Sequence, residues 1–344
     1  MGCSGRRWGK RSEPINRVVH ASDHLTPTGI VGTEPASVCA IVVTCNRKEL
    51  LREALTALMV QTSPVSRVLV VDNASTDGTR EIVEREFPQV VFLHLRRNVG
   101  GAGGFCAGME WAYDAGCTWL WLLDDDTIVA PTALEELLKA HGGSGPAHCP
   151  LLLASKVLWT DGSLHYMNPS RAKLADLEAL YASVAEATLS IRSTTFVSCL
   201  IHRSLVSRYG FPIADYFIWG DDTEYTARVL RDNFGVMVPA SIAVHKTARK
   251  HTALDAPPER YYYHVRNIVW MLTRSDAWAA KEKVRFAITL VAWIGRYLRV
   301  TGTPLAALKV VAVALFDGLF SRPKQIDLKS LIAVVPAAQD EHVR

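Results

Sequence analysis

The sequence predicts an α/β fold, a mostly parallel sheet with helices on both faces, followed by a C-terminal helical segment. Apolar runs rich in β-branched residues recur at Val38–Thr44, Arg67–Asp72, Val90–Leu95 and Thr118–Leu123, the pattern of strands buried on both faces. Helix-like stretches separate them, and strand alternating with helix implies right-handed βαβ units. Each run is followed by a polar cluster: Thr44-Cys45-Asn46-Arg47, Asp72-Asn73, Arg97-Asn98 and Asp124 to Asp126. In open α/β sheets ligands bind at the carboxyl ends of the strands, so these loops share one rim.

Taken in order, Leu50, Leu51, Ala54, Leu55, Leu58 and Met59 recur at helical spacing after the first strand. A short helix around Arg80 to Glu86 follows the second strand, and a helix-like stretch from Phe105 to Ala115 follows a Gly-rich loop after the third. Another helix is predicted over Pro131 to Ala140. The stretch from Leu151 to about Val244 is less regular, with strands at Leu151–Leu158 and Thr195–His202 and a second acidic group, Asp221, Asp222 and Glu224. Two apolar segments close the chain, Val284–Val300 and Leu305–Phe320. Both are short and carry charge, whereas a spanning helix needs about 20 predominantly apolar residues. They suit a membrane interface or a packed helical pair.

The domain plan is therefore a loose basic extension at 1–36, an α/β domain at 37–250, a helical region at 251–330 with a membrane-interfacial option, and a tail at 331–344. Among 344 residues, 49% are hydrophobic and 21% charged, a globular composition, and the net charge of +4 is mild. A nucleic-acid binder would concentrate basic residues on one face, and no such partner is expected. Seven scattered cysteines without a C-x-x-C pair favour reduced thiols in the cytoplasm. The basic start lacks the apolar core of a secretory signal.

The acidic triplet admits two readings. Adjacent carboxylates repel one another unless a cation screens them, and Mg²⁺ or Mn²⁺ takes oxygen ligands while keeping sites for substrate phosphates. A solvated loop capping the next helix is the alternative. Asp72 and Asn73 end a strand where they can bond a nucleobase or ribose, though N-A-S-T-D-G is also a good turn. Arg97, Asn98 and Gly100 open a Gly-rich loop suited to phosphate. It is not a dinucleotide fingerprint, because Cys106 stands where the third glycine belongs. In the second acidic group a carboxylate can take the proton of an attacking hydroxyl, with Trp219 and Glu224 on the acceptor side. The structural alternative makes Asp221 a helix cap and pairs Glu224 with Arg228 at i, i+4. His245, after another apolar stretch, reads as structural or as a ligand.

Five ordered motifs carry a resemblance: VVTCNR at 42–47, VVDNASTDGT at 70–79, RRNVGGAGGF at 96–105, WLLDDDT at 121–127 and FIWGDDTEYTARV at 217–229. Together they resemble the GT-A glycosyltransferases of the inverting family 2, over roughly residues 38 to 250. Within that family the glycine-rich motif followed by the Asp triplet looks like the bacterial galactofuranosyltransferases of actinobacterial cell walls. Rhamnosyltransferases are the second similar group, on YYYHVRN at 261–267 and ALFDGLF at 314–320.

The resemblance implies a GT-A, Rossmann-like domain and a single in-line displacement with inversion. Thr44, Arg47, Asp72 and Asn98 would hold the nucleotide, and Asp125 is grouped with these donor residues. Asp124, Asp126 and His245 would bind Mg²⁺ or Mn²⁺. Asp222 would be the base, with Asp221 its rival. The donor would be UDP-galactofuranose or dTDP-rhamnose, and the acceptor a polyprenyl-diphosphate-linked glycan at the inner membrane surface. A non-catalytic nucleotide-sugar-binding protein is the reading from another class. A nucleotidyltransferase would want a lysine-containing Gly-rich loop after the first strand, where TCNRKE stands without glycine.

Overall fold

The computed structural model describes residues 37–143, 148–250, 252–324 and 326–333. The basic extension expected at 1–36 and most of the tail expected at 331–344 lie outside the described residues. Strand β1 (Val38–Thr44), helix α1 (Lys48–Met59), strand β2 (Arg67–Asp72), helix α2 (Thr79–Glu86), strand β3 (Val91–His94), helix α3 (Gly100–Asp114) and strand β4 (Trp119–Asp124) alternate as the sequence predicts. The strands lie in the order β3-β2-β1-β4, and all neighbours are parallel.

Their side chains divide by the two-residue period of a strand. Val38, Ala40 and Val42 face Leu51, Leu55 and Leu58 of α1 across one core. Cys39, Ile41 and Val43 join Phe105, Cys106 and Met109 of α3 in the other. Burial on both faces is what the unbroken apolar runs encode. Register then aligns the polar strand ends, Thr44 opposite Asp72, Asp72 opposite His94 and Val43 opposite Asp124.

The second half comprises β5 (Thr127–Val129), α4 (Ala133–Gly143), β6 (Leu152–Leu158), β7 (Arg171–Ala172), α5 (Leu177–Ala185), β8 (Leu189–Ser193), β9 (Cys199–His202), α6 (Arg203–Tyr209), a 3₁₀ turn at Ala214–Tyr216, α7 (Asp221–Leu230) and β10 (Gly235–His245). Here the sheet becomes mixed. Strand β9 lies antiparallel between β4 and β6, while β10 is parallel to β6 and antiparallel to β5 and β8. Regular helical crossovers, which keep neighbours parallel, are lost between 151 and 216. The β5–β10 register sets His245 opposite Thr127, one residue beyond the acidic triplet.

The closing segments form α8 (Pro258–Arg274), α9 (Ala280–Val300) and α10 (Pro304–Phe320). Helix α10 turns the small stripe Ala307, Val311, Ala314 and Gly318 inward against α8. Its outer face shows Leu305, Leu308, Phe316 and Phe320, and α9 likewise exposes Val284, Ile288 and Val291. No helix among the described residues is long and apolar enough to cross a membrane. Beyond α10 the chain returns to the sheet edge, where the Arg96 amide donates to the Leu331 carbonyl and the Ala333 amide to that of His94, each at 2.9 Å.

Close seating of α10 depends on Gly318, where a Cβ would lie 2.6 Å from Val269 Cβ and 3.2 Å from the Arg266 carbonyl oxygen. Gly318→Val is expected to destabilise the protein by about 1–3 kcal/mol through overpacking. Chemical denaturation checks this, and an unchanged midpoint would refute the close packing.

Candidate active site

The triplet sits where β4 ends. Its middle member turns inward: Thr44 Oγ1 donates to Asp125 at 2.8 Å, and Arg47 donates to Asp125 at 3.2 Å and to Asp126 at 2.8 Å. Two residues expected to hold nucleotide thus also brace the triplet. Asp124 and Asp126 converge on His245, whose Nε2 lies 2.8 Å from Asp126 Oδ1 and 3.8 Å from Asp124 Oδ2. The three ligand atoms all fall within 4.8 Å of one another.

Whether a divalent cation fits can be read from the protons. His245 Nδ1 lies 2.8 Å from Asn168 Oδ1, an acceptor, so Nδ1 carries hydrogen. Nε2 then faces two carboxylates, an arrangement that calls for positive charge. Either a second proton on the ring supplies it, where burial is outweighed by Asp126 and Asp124 and the pKa is raised, or a cation between the three groups does. Asp126 Oδ1 is buried and makes no aligned hydrogen bond, despite its closeness to the ring. A histidine nitrogen fixed by an amide, an orphaned carboxylate oxygen and a second carboxylate suit Mg²⁺ or Mn²⁺.

Electrostatics agree with the geometry. Burial, aided by Asp126, Asp125 and Asp222, pushes Asp124 up to about 7 against the pull of His245. Burial likewise takes Asp125 to about 6 despite Arg47. For Asp126 the burial cost is outweighed by His245 in its protonated form and by Arg47, which hold it below the usual range.

Two clefts meet here. One, of about 460 Å³, is lined by Thr44, Arg47, Asn73, Asn98, Gly100 and the first two aspartates of the triplet. The other, of about 540 Å³, takes in the whole triplet, His245, Trp219, Asp221 and Asp222. Arg47, Asp124 and Asp125 are common to both. Asp221 and Asp222 begin α7, behind the left-handed Gly220. Burial and the neighbouring Asp222 push Asp221 well above the usual carboxylate range. Burial also raises Asp222, while Thr223 and the Arg171 guanidinium oppose the shift.

Three expected residues line neither cleft. Asp72 is buried, 2.6 Å from His94 Nδ1 and bonded to the Ser75 amide. Arg97 is exposed. Glu224 is buried beneath α7, pairing with Arg228 at 3.0 Å and accepting from Ser275 at 2.8 Å; the i, i+4 alternative describes it, and its acceptor-side assignment is dropped. Asn73 reaches the cleft edge but spends its amide on the Gly-rich loop, donating to the Gly100 carbonyl and accepting from the Val99 amide. Asn98 accepts from the Gly100 amide at 2.7 Å. Gly100 has φ +74°, and a Cβ there would lie 2.0 Å from the Phe217 carbonyl oxygen. Sequence reasoning missed His94, Asn168, Arg171 and Arg260. No local pattern marks Asn168, whereas Arg260 stands beside YYYHVRN, a motif already in view.

Asn168→Ala should weaken Mn²⁺ binding by about 10–100-fold, as loss of an orienting partner does, and His245→Ala should weaken it further. Because Asp124 must lose its proton to bind a cation, affinity should rise with pH up to about 7 and fall as protons compete below it. Calorimetric titration checks both effects, and pH-independent binding unaffected by either substitution would reject the site.

Comparison with known proteins identifies the family. The model for glycosyl transferase family 2 matches residues 39–179. Galactofuranosyltransferase GlfT1 of Mycolicibacterium smegmatis is 33% identical over 225 residues, which are 61% of this chain and 71% of that protein. GlfT1 of Mycobacterium tuberculosis is 28% identical over 269 residues, 73% of this chain and 87% of that one. In fold, the chain is similar to the crystal structure of S. aureus TarS in complex with UDP-GlcNAc, with a TM-score of 0.56 at 17% identity over 82% of this chain and 80% of that one. With its ordered strand-end motifs, its Rossmann-like sheet and a relative one-third identical over most of its own length, the chain belongs to glycosyl transferase family 2 and has the GT-A fold.

Proposed function

We propose that the protein is an inverting, metal-dependent hexosyltransferase that moves galactofuranose from UDP-galactofuranose to a polyprenyl-diphosphate-linked cell-wall or surface glycan. The observation that carries this reading is the meeting of an Asp-Asp-His cluster able to hold a cation and a separate aspartate pair in one cleft. A transferase needs both, one to offset charge on a departing diphosphate and one to receive the acceptor's proton. The names of the GlfT1 relatives support the choice of sugar.

In this mechanism the nucleotide occupies the smaller cleft, against Thr44, Arg47, Asn73 and Asn98. Its diphosphate reaches Asp124, Asp126 and His245, and its sugar points into the larger cleft. A divalent cation held by those three residues, when bound, offsets the charge of the leaving diphosphate. Trp219 offers an aromatic face to a sugar, and Arg260 lies over its ring at 5.3 Å, at the junction of the clefts. Asp222 takes the proton of the attacking hydroxyl. The base must be ionised beforehand, and Asp222 has Arg171 and Thr223 to favour its charge. Asp221, where burial, Asp222 and Asp124 outweigh the backbone amides that favour its charge, is the protonated partner. The hydroxyl oxygen attacks the anomeric carbon as the bond to diphosphate breaks, which inverts that centre.

The acceptor approaches past Trp219 toward Phe286 and Trp293 of α9, which line the far end of the larger cleft. Beyond them are the exposed apolar residues of α9 and α10, with Lys281, Arg285, Arg296 and Arg299 on α9. Such a surface suits the interface of an anionic membrane, on its inner face, where a lipid-linked acceptor would be met. A dTDP-rhamnose donor is the second reading, favoured by YYYHVRN and ALFDGLF.

With a panel of nucleotide sugars and Mn²⁺, transfer should be greatest with UDP-galactofuranose. Asp222→Asn should lower kcat by about 10²–10⁴-fold, the usual contribution of a general base, while donor binding is kept. Tight donor binding without turnover on any acceptor would instead identify a nucleotide-sugar-binding protein. The chain should also cosediment with anionic vesicles, less so at high salt, and the double change Ile288→Asp, Val291→Asp should release it. Equal sedimentation of that variant would refute the membrane-facing role of α9.

A further inference from the structure

The motif YYYHVRN lies on α8 and supplies no reacting group in the mechanism above, yet its last two residues are buried. Their hydrogen bonds reach the segment that leads into the aspartate pair. Asn267 Nδ2 lies within hydrogen-bonding distance of three carbonyl oxygens, those of Tyr216 and Ile218 at 2.9 Å and of Trp219 at 2.7 Å. Arg266 donates to the carbonyls of Asp215 at 2.7 Å and Tyr216 at 3.3 Å. It also donates to Asn267 Oδ1, from Nε at 3.0 Å and from a terminal nitrogen at 2.9 Å. The guanidinium therefore fixes which way the amide faces and keeps its N–H groups on the loop. Arg266 is in turn set by the Trp270 ring, 4.0 Å away.

The segment so held has an unusual backbone. Phe217 has φ 64°, Trp219 66° and Gly220 85°. Bulky residues rarely adopt the left-handed region, and they persist there only where surrounding structure over-determines the conformation. Here the determinants come from both sides. The Phe217 carbonyl accepts from the Ala102 amide at 3.2 Å, and its ring stacks on Tyr263 with centroids 4.9 Å apart. The other carbonyls, from Asp215 to Trp219, turn to Arg266 and Asn267.

We propose that Asn267, oriented by Arg266, is a positioning residue for transfer: by locking the backbone of Asp215–Trp219 it sets where Trp219 and Asp222 stand in the cleft. The proposal deepens the functional reading, since Asp222 is the base only if that reading holds. Without the amide, the Ile218 and Trp219 carbonyls lose this donor, Tyr216 keeps only Arg266 and the Ile218 amide, and the left-handed residues can relax. Relaxation would turn Trp219 and shift the first turn of α7; Phe217 and Ile218 border the smaller cleft, but the donor contacts at Thr44, Arg47 and Asn98 stand on other elements and would be left in place. Aspartate at 267 has nearly the same shape but presents oxygen to the carbonyl oxygens, so it should undo the lock.

Asn267→Ala and Asn267→Asp test this with two readouts, hydrogen exchange over residues 217–224 and steady-state transfer alongside donor calorimetry. Exchange in that segment should accelerate while β1, β2 and β4 stay protected. Turnover should fall by on the order of 100-fold, the effect of displacing a reacting group by about 1 Å, with donor affinity changed by less than about threefold. Unchanged exchange, faster exchange with unchanged kcat, or a parallel loss of kcat, donor affinity and folded fraction would each overturn the proposal. Should both variants fail to fold, Arg266→Lys, which keeps the charge but loses the fork that orients the amide, is judged by the same measures. If the unaltered protein transfers no sugar from any nucleotide donor, the functional reading fails separately, and the exchange data alone decide the lock.

Discussion

Crowding of like charge is the constraint on which the site depends. Asp124, Asp125, Asp126, Asp221 and Asp222 all border one cleft, and burial makes each ionised carboxylate there costly. The structure deals with the members differently. Asp125 is covered by Thr44 and Arg47, Asp126 is balanced by Arg47 and His245, and Asp221 is pushed toward its protonated form. Asp124 and the second oxygen of Asp126 are left without equal compensation. That residual negative charge, beside the histidine that faces it, is what would suit the cleft to a hard cation.

The division follows from where each group sits on the sheet. Strands β1 and β4 are neighbours, so Thr44 and Arg47 reach the triplet directly from the parallel half. His245 arrives from the far side, on β10, and meets the triplet only because β5 turns back to pair with β10 in antiparallel register. Asn168 comes from the irregular stretch between β6 and β7 and settles the histidine tautomer. Parallel strands thus supply the acids, and the mixed half of the sheet supplies the histidine and the amide that complete the Asp-Asp-His cluster.

Helix α8 joins these parts to the aspartate pair. Its polar face holds the loop at Asp215–Trp219, and its opposite side receives the small-residue stripe of α10. The same loop touches the Gly-rich turn through Phe217, which is why Gly100 cannot carry a side chain there. Gly-rich turn, aspartate loop and C-terminal helices consequently form one packed unit. The apolar outer faces of α9 and α10 belong to that unit as well, and α9 lines the larger cleft through Phe286, Leu290 and Trp293.

Much of this was legible in the chain. Doubly buried strands require unbroken apolar runs, and helices on both faces require alternation with helical periods, so the parallel half of the sheet and its reactive rim could be read directly. The triplet, the aspartate pair and the glycine turn were legible because their chemistry is local. The irregular half was not, since strand direction there depends on pairing partners rather than on period. Asp72 and Glu224 illustrate the same limit, for a carboxylate at a strand end or helix start looks alike whether it faces a ligand or an internal partner. Only folding revealed that His94 and Ser75 take the first and Arg228 and Ser275 the second. By itself the sequence determined which residue types line the rim and that acids dominate it. Tertiary structure decided which acids stay uncompensated, because the β5–β10 register, the Asn168 contact and the α8 clamp join residues tens to more than a hundred positions apart, where no local pattern reaches.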